Sequence, residues 1–320
     1  MGELSQTTET ILRLSAFIGI FAVMALIELG APRRELHHSK PRRWLTNLSI
    51  SGVNALLLRL MGMLAVPVAA VAAAEWARIA GWGAFNLLGW PFWLEILISL
   101  VLLDLAIYGQ HVLFHKVPAL WRLHQVHHAD VDFDVSTALR FHPIEIALSM
   151  LIKIAVVLAL GVPAIAVVLF EIILNGCAMF NHANINLPGW LDRTLRRVLV
   201  TPDMHRVHHS AIPRETDSNF GFNLSIWDRI FRTYRPQPEA GHRDMTIGLG
   251  EYQSEDPTRF GWSLFLPFRG KRAPERDPKS GDRYSDRSRV NEERDPKKPV
   301  PDTIRDGDRF SDKTRVEEVQ

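Results

Sequence analysis

The histidines of this chain lie in short clusters whose spacing suits metal binding. In an α-helix, residues three and four positions apart share one face, so each cluster can direct two or three imidazoles towards one place. Imidazole nitrogen is a ligand for zinc, copper, iron and nickel. The clusters, in chain order, are HVLFH with His111 and His115, HQVHH with His124, His127 and His128, and HRVHH with His205, His208 and His209.

The number of histidines indicates more than one metal ion. The eight histidines of the clusters, together with His182 in the sequence NHAN, are too many for a single ion. Two ions with four or five ligands each would account for them. His142, in the sequence RFHPIE, is a tenth candidate ligand. Soluble di-iron bundles use Glu and paired Glu-x-x-His ligands; none of these candidate histidines follows a Glu at that spacing, so the site would be a different solution built on imidazole.

Long apolar stretches must position these clusters. A transmembrane helix needs roughly 20 mostly apolar residues, and several stretches approach that length. We therefore predict an all-α integral membrane protein with about four to five transmembrane or re-entrant helices, of which the last two form a hairpin over 144–181. The stretches are 11–29, 44–74 (interrupted by Arg59), 91–110, 144–160 and 163–181.

The basic residues predict how the protein is oriented. Loops rich in Lys and Arg stay on the cytoplasmic side of a membrane, and such a loop follows the first apolar stretch. The third and fifth stretches would then deliver their histidines to that side. We therefore expect a helical cap on the cytoplasmic side that holds the metal site, with the C-terminus also cytoplasmic. The basic residues of this loop are Arg33, Arg34, Lys40, Arg42 and Arg43.

Four polar residues inside the apolar stretches are candidate supports for the ligands. Asp104 and Tyr108 share a helical stripe with His111, and Glu171 and Asn175 share one with His182. Ionisable groups inside a membrane are rare and usually face the bundle interior. Metal-bound histidines usually donate their second N–H to a carboxylate or carbonyl. We predict that these four residues support the ligands; a simple polar contact between helices is the alternative.

The composition excludes several partners and cofactors. A net charge of +2 gives no indication of nucleic-acid binding. A single cysteine, Cys177, excludes an internal disulfide and a Cys-ligated iron–sulfur cluster within the chain. The sequence has no glycine-rich dinucleotide motif. If the protein does redox chemistry, its electrons come from a separate protein.

Three regions are predicted along the chain: N-terminal transmembrane helices over 1–110, a histidine-rich catalytic region over 111–260, and a charged tail over 261–320. The tail is rich in charged residues and proline, a composition that does not form a packed core. It contains a duplication, GDRYSDRSRV at 281–290 and GDRFSDKTRV at 307–316. We predict that the tail is disordered.

The three clusters, in this order and at this spacing, resemble the fatty acid hydroxylase superfamily, also called the sterol desaturase family. The phrases RFHPIE at 140–145, TPDMHRVHHS at 201–210 and NFGFNLSIWDRIFRTY at 219–234 are similar to those of bacterial members. The resemblance covers roughly residues 15–260. It implies a helical membrane fold with a cytoplasmic cap that holds two irons. It places His142 in or beside the ligand set and makes the ligands His111, His115, His124, His127, His128, His182, His205, His208 and His209.

The resemblance also implies an activity. It implies an oxidoreductase that uses O2 to hydroxylate a C–H bond of a membrane lipid, either a sterol- or hopanoid-like lipid or a fatty acyl chain. The electron donor would be a separate protein, cytochrome b5-like or a ferredoxin with its reductase, and the location a bacterial inner membrane. A lipid desaturase with the same site is the first alternative. A membrane metal transporter or metal-binding scaffold is the second, although transporters hold their ligands near the bilayer midplane and these histidines lie at the ends of the stretches.

Overall fold

The computed structural model describes residues 6–64 and 70–270, and within these ranges the chain is helical and contains no β-strand. The all-α prediction is confirmed. The duplicated tail lies outside the described residues, so its predicted disorder stays a prediction. The α-helices are α1 (Gln6–Gly30), α2 (Lys40–Leu64), α3 (Ala70–Ala80), α4 (Ala84–Leu88), α5 (Phe92–Lys116), α6 (Pro118–His128), α7 (Pro143–Leu160), α8 (Ala164–His182), α9 (Gly189–Leu195), α10 (Pro202–His208), α11 (Pro213–Thr216), α12 (Ile226–Ile230), α13 (Gly241–Asp244) and α14 (Phe260–Phe265).

Four of these helices are long and apolar enough to cross a bilayer, by length and composition. With a rise of about 1.5 Å per residue they are roughly 27 to 38 Å long, which matches a hydrocarbon core of about 30 Å. Many of their large apolar side chains are exposed, such as Leu14, Leu97 and Leu151, as expected for helices that face lipid. The candidate spans are Thr7–Gly30, Phe92–Lys116, Pro143–Leu160 and Ala164–His182.

The predicted stretch at 44–74 contains the described helices α2 and α3, and its residues 65–69 lie outside the described residues. Neither helix is among the candidate spans found in the described residues. The physical reason is that α2 carries a polar face that is used inside the protein. Arg43, Asn47 and Asn54 on this helix are all buried, so the apolar average of the stretch conceals a helix that packs against polar neighbours.

The α7–α8 hairpin turns at Gly161, as the sequence predicts. Gly161 ends α7 with a φ of +69°, a left-handed conformation that glycine adopts without strain. Gly83 (φ +98°) packs against it so closely that a Cβ on Gly83 would lie 2.3 Å from the Gly161 nitrogen. This contact ties the α3–α4 connection to the hairpin at one end of the helix bundle.

The opposite end of the bundle, here called the histidine end, is where α5 and α8 finish and α7 begins. At this end, backbone hydrogen bonds connect the segment after α1 to the segment after α8. The Asn186 N–H donates to the Ala31 carbonyl (2.9 Å), and the Arg33 N–H donates to the Asn184 carbonyl (3.1 Å). Glu28 near the end of α1 accepts hydrogen bonds from the Asn184 N–H (2.8 Å) and the Val135 N–H (2.7 Å). The candidate spans therefore converge on the region that carries the histidines.

A buried ionic network ties α2 to the segment that follows α6. The Arg43 guanidinium donates to Asp130 (2.7 and 2.8 Å) and to Asp134 (2.7 Å), and all three side chains are fully buried. Burial alone would lower the pKa of Arg43, but the two carboxylates raise it above its ordinary value. Burial alone would raise the pKa of Asp130, but Arg43 lowers it below its usual range. The charges are therefore fixed in their ionised forms.

Replacing Arg43 with methionine should strongly destabilise the protein, because it leaves two buried carboxylates without their cation. Loss of one partner of a buried ion pair lowers the free energy of unfolding by about 3–5 kcal/mol. The measurement is thermal unfolding of the detergent-solubilised protein. Arg42→Met is the matched control, since Arg42 is the exposed neighbour on the same helix. Equal melting temperatures for the two variants would contradict the importance of the network.

Candidate metal centre

Nine histidines meet at the histidine end of the bundle and form two groups. The members of each group offer one nitrogen each, and these nitrogens all lie within 4.8 Å of one another. All nine side chains are buried or nearly so. They come from α5, α6, α8, α10 and the residue directly after α10, His209, so the groups exist only in the folded chain. Group one is His111, His115, His124, His128 and His208; group two is His127, His182, His205 and His209.

Both HxxHH triplets are divided between the two groups. Neither triplet therefore directs all three of its imidazoles to one place, contrary to the prediction from the shared helix face. In the first triplet, His124 and His128 belong to group one and His127 to group two. The second triplet is divided in the opposite sense, since only its middle member, His208, belongs to group one. Neighbouring residues on an α-helix diverge by about 100°, whereas residues four apart diverge by only about 40°.

The spacing of the ring nitrogens suits ligands of a common ion. The Nε2 atoms of His111 and His124 are 3.2 Å apart. The Nε2 atom of His182 lies 3.1 Å from that of His127 and 3.1 Å from that of His205. Two imidazole nitrogens bound about 2.1 Å from one ion, at angles between octahedral and tetrahedral, would be roughly 3.0–3.4 Å apart. The residues present therefore fit metal ions.

Several buried ring nitrogens also lack a hydrogen-bond partner in the described structure. A buried polar atom without a partner is unfavourable by about 1–3 kcal/mol and is uncommon in folded proteins. A metal ion in each group would give these nitrogens their partner. They are Nε2 of His115, His128, His208 and His209.

Backbone carbonyls orient three of the ligands. The Nδ1 atoms of His111, His182 and His208 lie 2.8 Å from the Phe220 carbonyl, 2.7 Å from the Ala178 carbonyl and 2.7 Å from the Ser218 carbonyl. A carbonyl oxygen only accepts, so each Nδ1 must carry the proton. The Nε2 lone pair of each ring is then free to bind a metal ion.

Glu145 supports a fourth ligand, and the sequence analysis missed it. Its Oε1 lies 2.6 Å from Nδ1 of His124, and both side chains are buried. Glu145 stands in the first turn of α7, three residues after His142. The signal in the sequence was its place in RFHPIE, one of the phrases that carry the family resemblance, in which only His142 was predicted as a site residue.

Asp104 and Tyr108 form hydrogen bonds with residues near the loop that lies behind His111. Asp104 accepts hydrogen bonds from the N–H groups of Asn223 (3.3 Å) and Leu224 (3.1 Å) and from Nε1 of Trp227 (2.8 Å). The Tyr108 hydroxyl lies 2.9 Å from that of Thr233. Neither touches a histidine. They hold the segment after α11 whose Phe220 carbonyl orients His111.

Asp228 holds the same segment from the other side. Its carboxylate accepts hydrogen bonds from the N–H groups of Phe220 (2.7 Å) and Gly221 (2.9 Å) and from the Thr233 hydroxyl (2.7 Å). Burial raises the pKa of Asp228, although these hydrogen bonds oppose the shift. Two carboxylates therefore fix a loop that lies directly behind the ligands.

Glu171 and Asn175 do not support the histidines. The Glu171 carboxylate pairs with Lys153 on α7 (2.7 Å) and with Arg13 on α1. The Asn175 side chain donates to the Glu171 carbonyl (2.7 Å). The alternative of a polar contact between helices therefore describes these residues, which connect α1, α7 and α8 within the bundle.

His142 lies outside both groups, so the structure corrects its assignment as a ligand. Its Nδ1 accepts from the Ile144 N–H (3.2 Å), and its Nε2 lies 3.1 Å from the Leu264 carbonyl. Both ring nitrogens are thus used for structure: His142 caps the N-terminus of α7 and joins it to the α14 segment.

The electrostatics favour neutral imidazoles, the form that binds a cation. Burial, and then the neighbouring histidines, lower the pKa of His127, His128, His205 and His209 well below the ordinary value. Burial lowers the pKa of His208 to about 3. These five side chains are therefore neutral at pH 7 and can offer lone pairs to a metal.

Replacing Glu145 with alanine should weaken metal binding, because it removes the group that orients His124. Loss of such a partner reduces metal affinity by about 10- to 100-fold. Competition with a graded series of chelators measures this affinity. Glu35→Ala is the control, since Glu35 is exposed on the loop between α1 and α2. Unchanged affinity in Glu145→Ala would show that the contact does not tune the ligand.

Asp104→Asn and Glu171→Gln should distinguish a buried acid that holds the segment behind His111 from one that only connects helices. Asp104→Asn should lower metal affinity, because it loosens the segment behind His111. Glu171→Gln should leave metal affinity unchanged and lower the melting temperature, because Lys153 and Arg13 lose their carboxylate. Chelator competition and thermal unfolding on both variants measure these effects. The assignments fail if the two variants behave alike.

Comparison with known proteins agrees with the geometry. Residues 96–233 match the sequence profile of the fatty acid hydroxylase family. An ornithine lipid hydroxylase of Rhizobium tropici is 29% identical over 159 residues, which are 49% of this chain and 47% of that protein. An alkylglycerol monooxygenase of Danio rerio is 29% identical over 252 residues, 74% of this chain and 50% of that protein.

A second alkylglycerol monooxygenase, from Xenopus tropicalis, is 33% identical over 164 residues, 51% of this chain and 35% of that protein. The chain thus spans half or less of the length of these relatives. No solved structure matches it. The matched segment contains all nine grouped histidines. Residues 96–233 of this chain therefore form a fatty acid hydroxylase domain.

Proposed function

We propose that the protein is an O2-dependent di-iron oxygenase that hydroxylates a C–H bond of a membrane lipid. The observation that carries the proposal is the pair of adjacent imidazole groups, with five and four members, buried at one end of a bundle of apolar helices. The names of the relatives, which are hydroxylases and monooxygenases, favour a redox metal over zinc.

The protein holds the two groups next to each other. The rings of His128 and His209, from different groups, stack with centroids 4.5 Å apart. Those of His127 and His128, neighbours in sequence, have centroids 5.4 Å apart. Two iron ions held by these groups would supply the activation of O2 and the abstraction of hydrogen from an unactivated C–H bond. The nine histidines, Glu145 and the supporting carbonyls would fix the positions of these ions.

Aromatic side chains surround the groups and exclude water. Phe141 stacks on His127 with centroids 4.2 Å apart, and Phe133 and Phe220 pack against other members of the two groups. Phe133 and Phe220 are fully buried. A dry site suits a reaction in which a reactive centre must be kept from side reactions with water.

The position of the site suits a substrate that comes from the bilayer. Two of the candidate spans, α5 and α8, themselves supply His111, His115 and His182. A lipid that enters from the membrane therefore meets the ligands at the ends of these helices. The relatives are named for ornithine lipid and alkylglycerol, which are lipids, and this supports the same substrate class.

The remaining parts of the proposal concern location and electron supply. The location would be a bacterial inner membrane, and the basic loop after α1 supports an orientation with the histidine end on the cytoplasmic side. A separate donor, cytochrome b5-like or a ferredoxin with its reductase, would deliver the electrons. A desaturase would use the same ligands, and the hydroxylase names of the relatives favour hydroxylation. Burial of the histidines at one end of the bundle favours an enzyme over a transporter.

Metal analysis tests the proposal first. Protein purified in detergent under reducing, iron-replete conditions should contain about two irons per chain, since each group offers at least the three or four protein ligands that a bound ion requires. His128→Ala in group one and His127→Ala in group two should each lower the iron content. His142→Ala should retain the full content, because His142 lies outside both groups.

Isotope labelling tests the reaction. Cells that express the wild-type chain with a donor system, supplied with ¹⁸O2, should contain a lipid with one labelled hydroxyl oxygen, detected by mass spectrometry. Cells expressing His127→Ala should lack it. Zinc as the only bound metal, or a product without label in the presence of iron, would contradict the proposal.

A further inference from the structure

A polar cavity lies at the histidine end of the bundle, outside the two imidazole groups. Its volume is about 350 Å³, within the usual range of ligand pockets. It lies where the loop after α1, the loop after α8, helix α9 and the start of α10 come together. Its polar lining residues are Arg33, Asn186, Asp192, Arg193, Arg196, Asp203 and Gln237.

The arginines of this cavity outnumber its carboxylates. Arg33 forms a bidentate pair with Asp203 (3.0 Å for both bonds), and Arg196 pairs with Asp192 (2.5 Å). Arg193 is exposed and has no carboxylate partner among the described residues. With Arg206, which shares Asp203, the region has four arginines for two carboxylates and a net charge of about +2.

Arg206 does not line the cavity but binds Asp203, which does, and so adds positive charge beside it. Its side chain is fully buried, and Nη1 binds Asp203 while Nε and Nη2 have no hydrogen-bond partner in the described structure. His242 is also buried, and its Nε2 lies 3.6 Å from the same carboxylate. Asp203 is thus shared by Arg33, Arg206 and His242. A buried guanidinium with unused donors is unfavourable unless another acceptor is bound.

We propose that this cavity binds a phosphate group, supplied by the headgroup of an anionic lipid. Arginine is the side chain best suited to phosphate, because its planar fork donates two parallel hydrogen bonds. The cavity lies beside the C-terminal ends of two candidate spans, α1 and α8. Trp190 on α9 is 65% exposed beside it, and tryptophan is enriched at membrane–water interfaces. The site goes beyond the proposed oxygenase activity and does not depend on it.

The experiment measures ligand-induced thermal stabilisation of the purified, metal-loaded protein in detergent. Three probes are compared: short-chain phosphatidylglycerol, short-chain phosphatidylcholine and inorganic phosphate. We expect phosphatidylglycerol to bind most tightly, with a dissociation constant that rises about fivefold in Arg193→Gln, since one basic residue near an anionic lipid contributes about that factor. Arg197→Gln is the matched control, because Arg197 is an exposed arginine on the same segment that does not line the cavity.

The outcomes separate the sources of the anion from simple surface charge. Tighter binding of phosphatidylglycerol than of phosphatidylcholine, weakened in Arg193→Gln and Arg33→Gln but unchanged in Arg197→Gln, supports the lipid site. Stabilisation by inorganic phosphate alone would overturn the lipid headgroup as its source. Equal weakening in Arg193→Gln and Arg197→Gln would reduce the effect to surface charge and overturn the site itself. None of these readings uses enzyme activity, so failure of the oxygenase proposal would be seen separately.

Discussion

The structure depends on the burial of nine imidazoles within a few ångströms of one another. Neutral imidazoles whose lone pairs have no partner are destabilised by such crowding in a dry interior, because each loses its hydrogen bonds to water. A cation reverses this balance, since one ion satisfies four or five of the nitrogens together. The free energy of metal binding is therefore also free energy of folding in this region. A bound metal would thus help to hold together the helices that carry these histidines.

Two successive sets of hydrogen bonds hold the histidines of this site in place. Backbone carbonyls and Glu145 hold the ring protons of four ligands directly. Behind them, Asp104 and Asp228 accept four hydrogen bonds between them from the backbone of the segment between α11 and α12. A loop without regular structure is thus positioned as firmly as a helix. Rigid support of this kind is needed where a displacement of less than one ångström changes ligand geometry.

The sequence predicted the parts of this architecture that depend on local pattern. Long apolar stretches specify membrane helices through length alone, and histidines three and four residues apart specify shared helix faces. What depends on tertiary packing could not be read in this way. The division of each triplet between two groups follows from how α6 and α10 face each other. His142 was predicted as a ligand and Glu145 was given no role, because their positions in one phrase do not reveal which side chain turns inwards. The polar face of α2 was hidden because Arg43 finds its partners about ninety residues away in the chain.

The division of the triplets has a consequence for how the centre is assembled. His127 and His128 are joined by one peptide bond yet serve different groups, and so are His208 and His209. The separation of the groups is therefore set by covalent geometry and not by the looser packing between helices. A rotation of α6 about its axis would disturb both groups together. Occupation of one group stiffens the backbone that presents the other, so the two positions should fill cooperatively, and partly loaded chains should be rare.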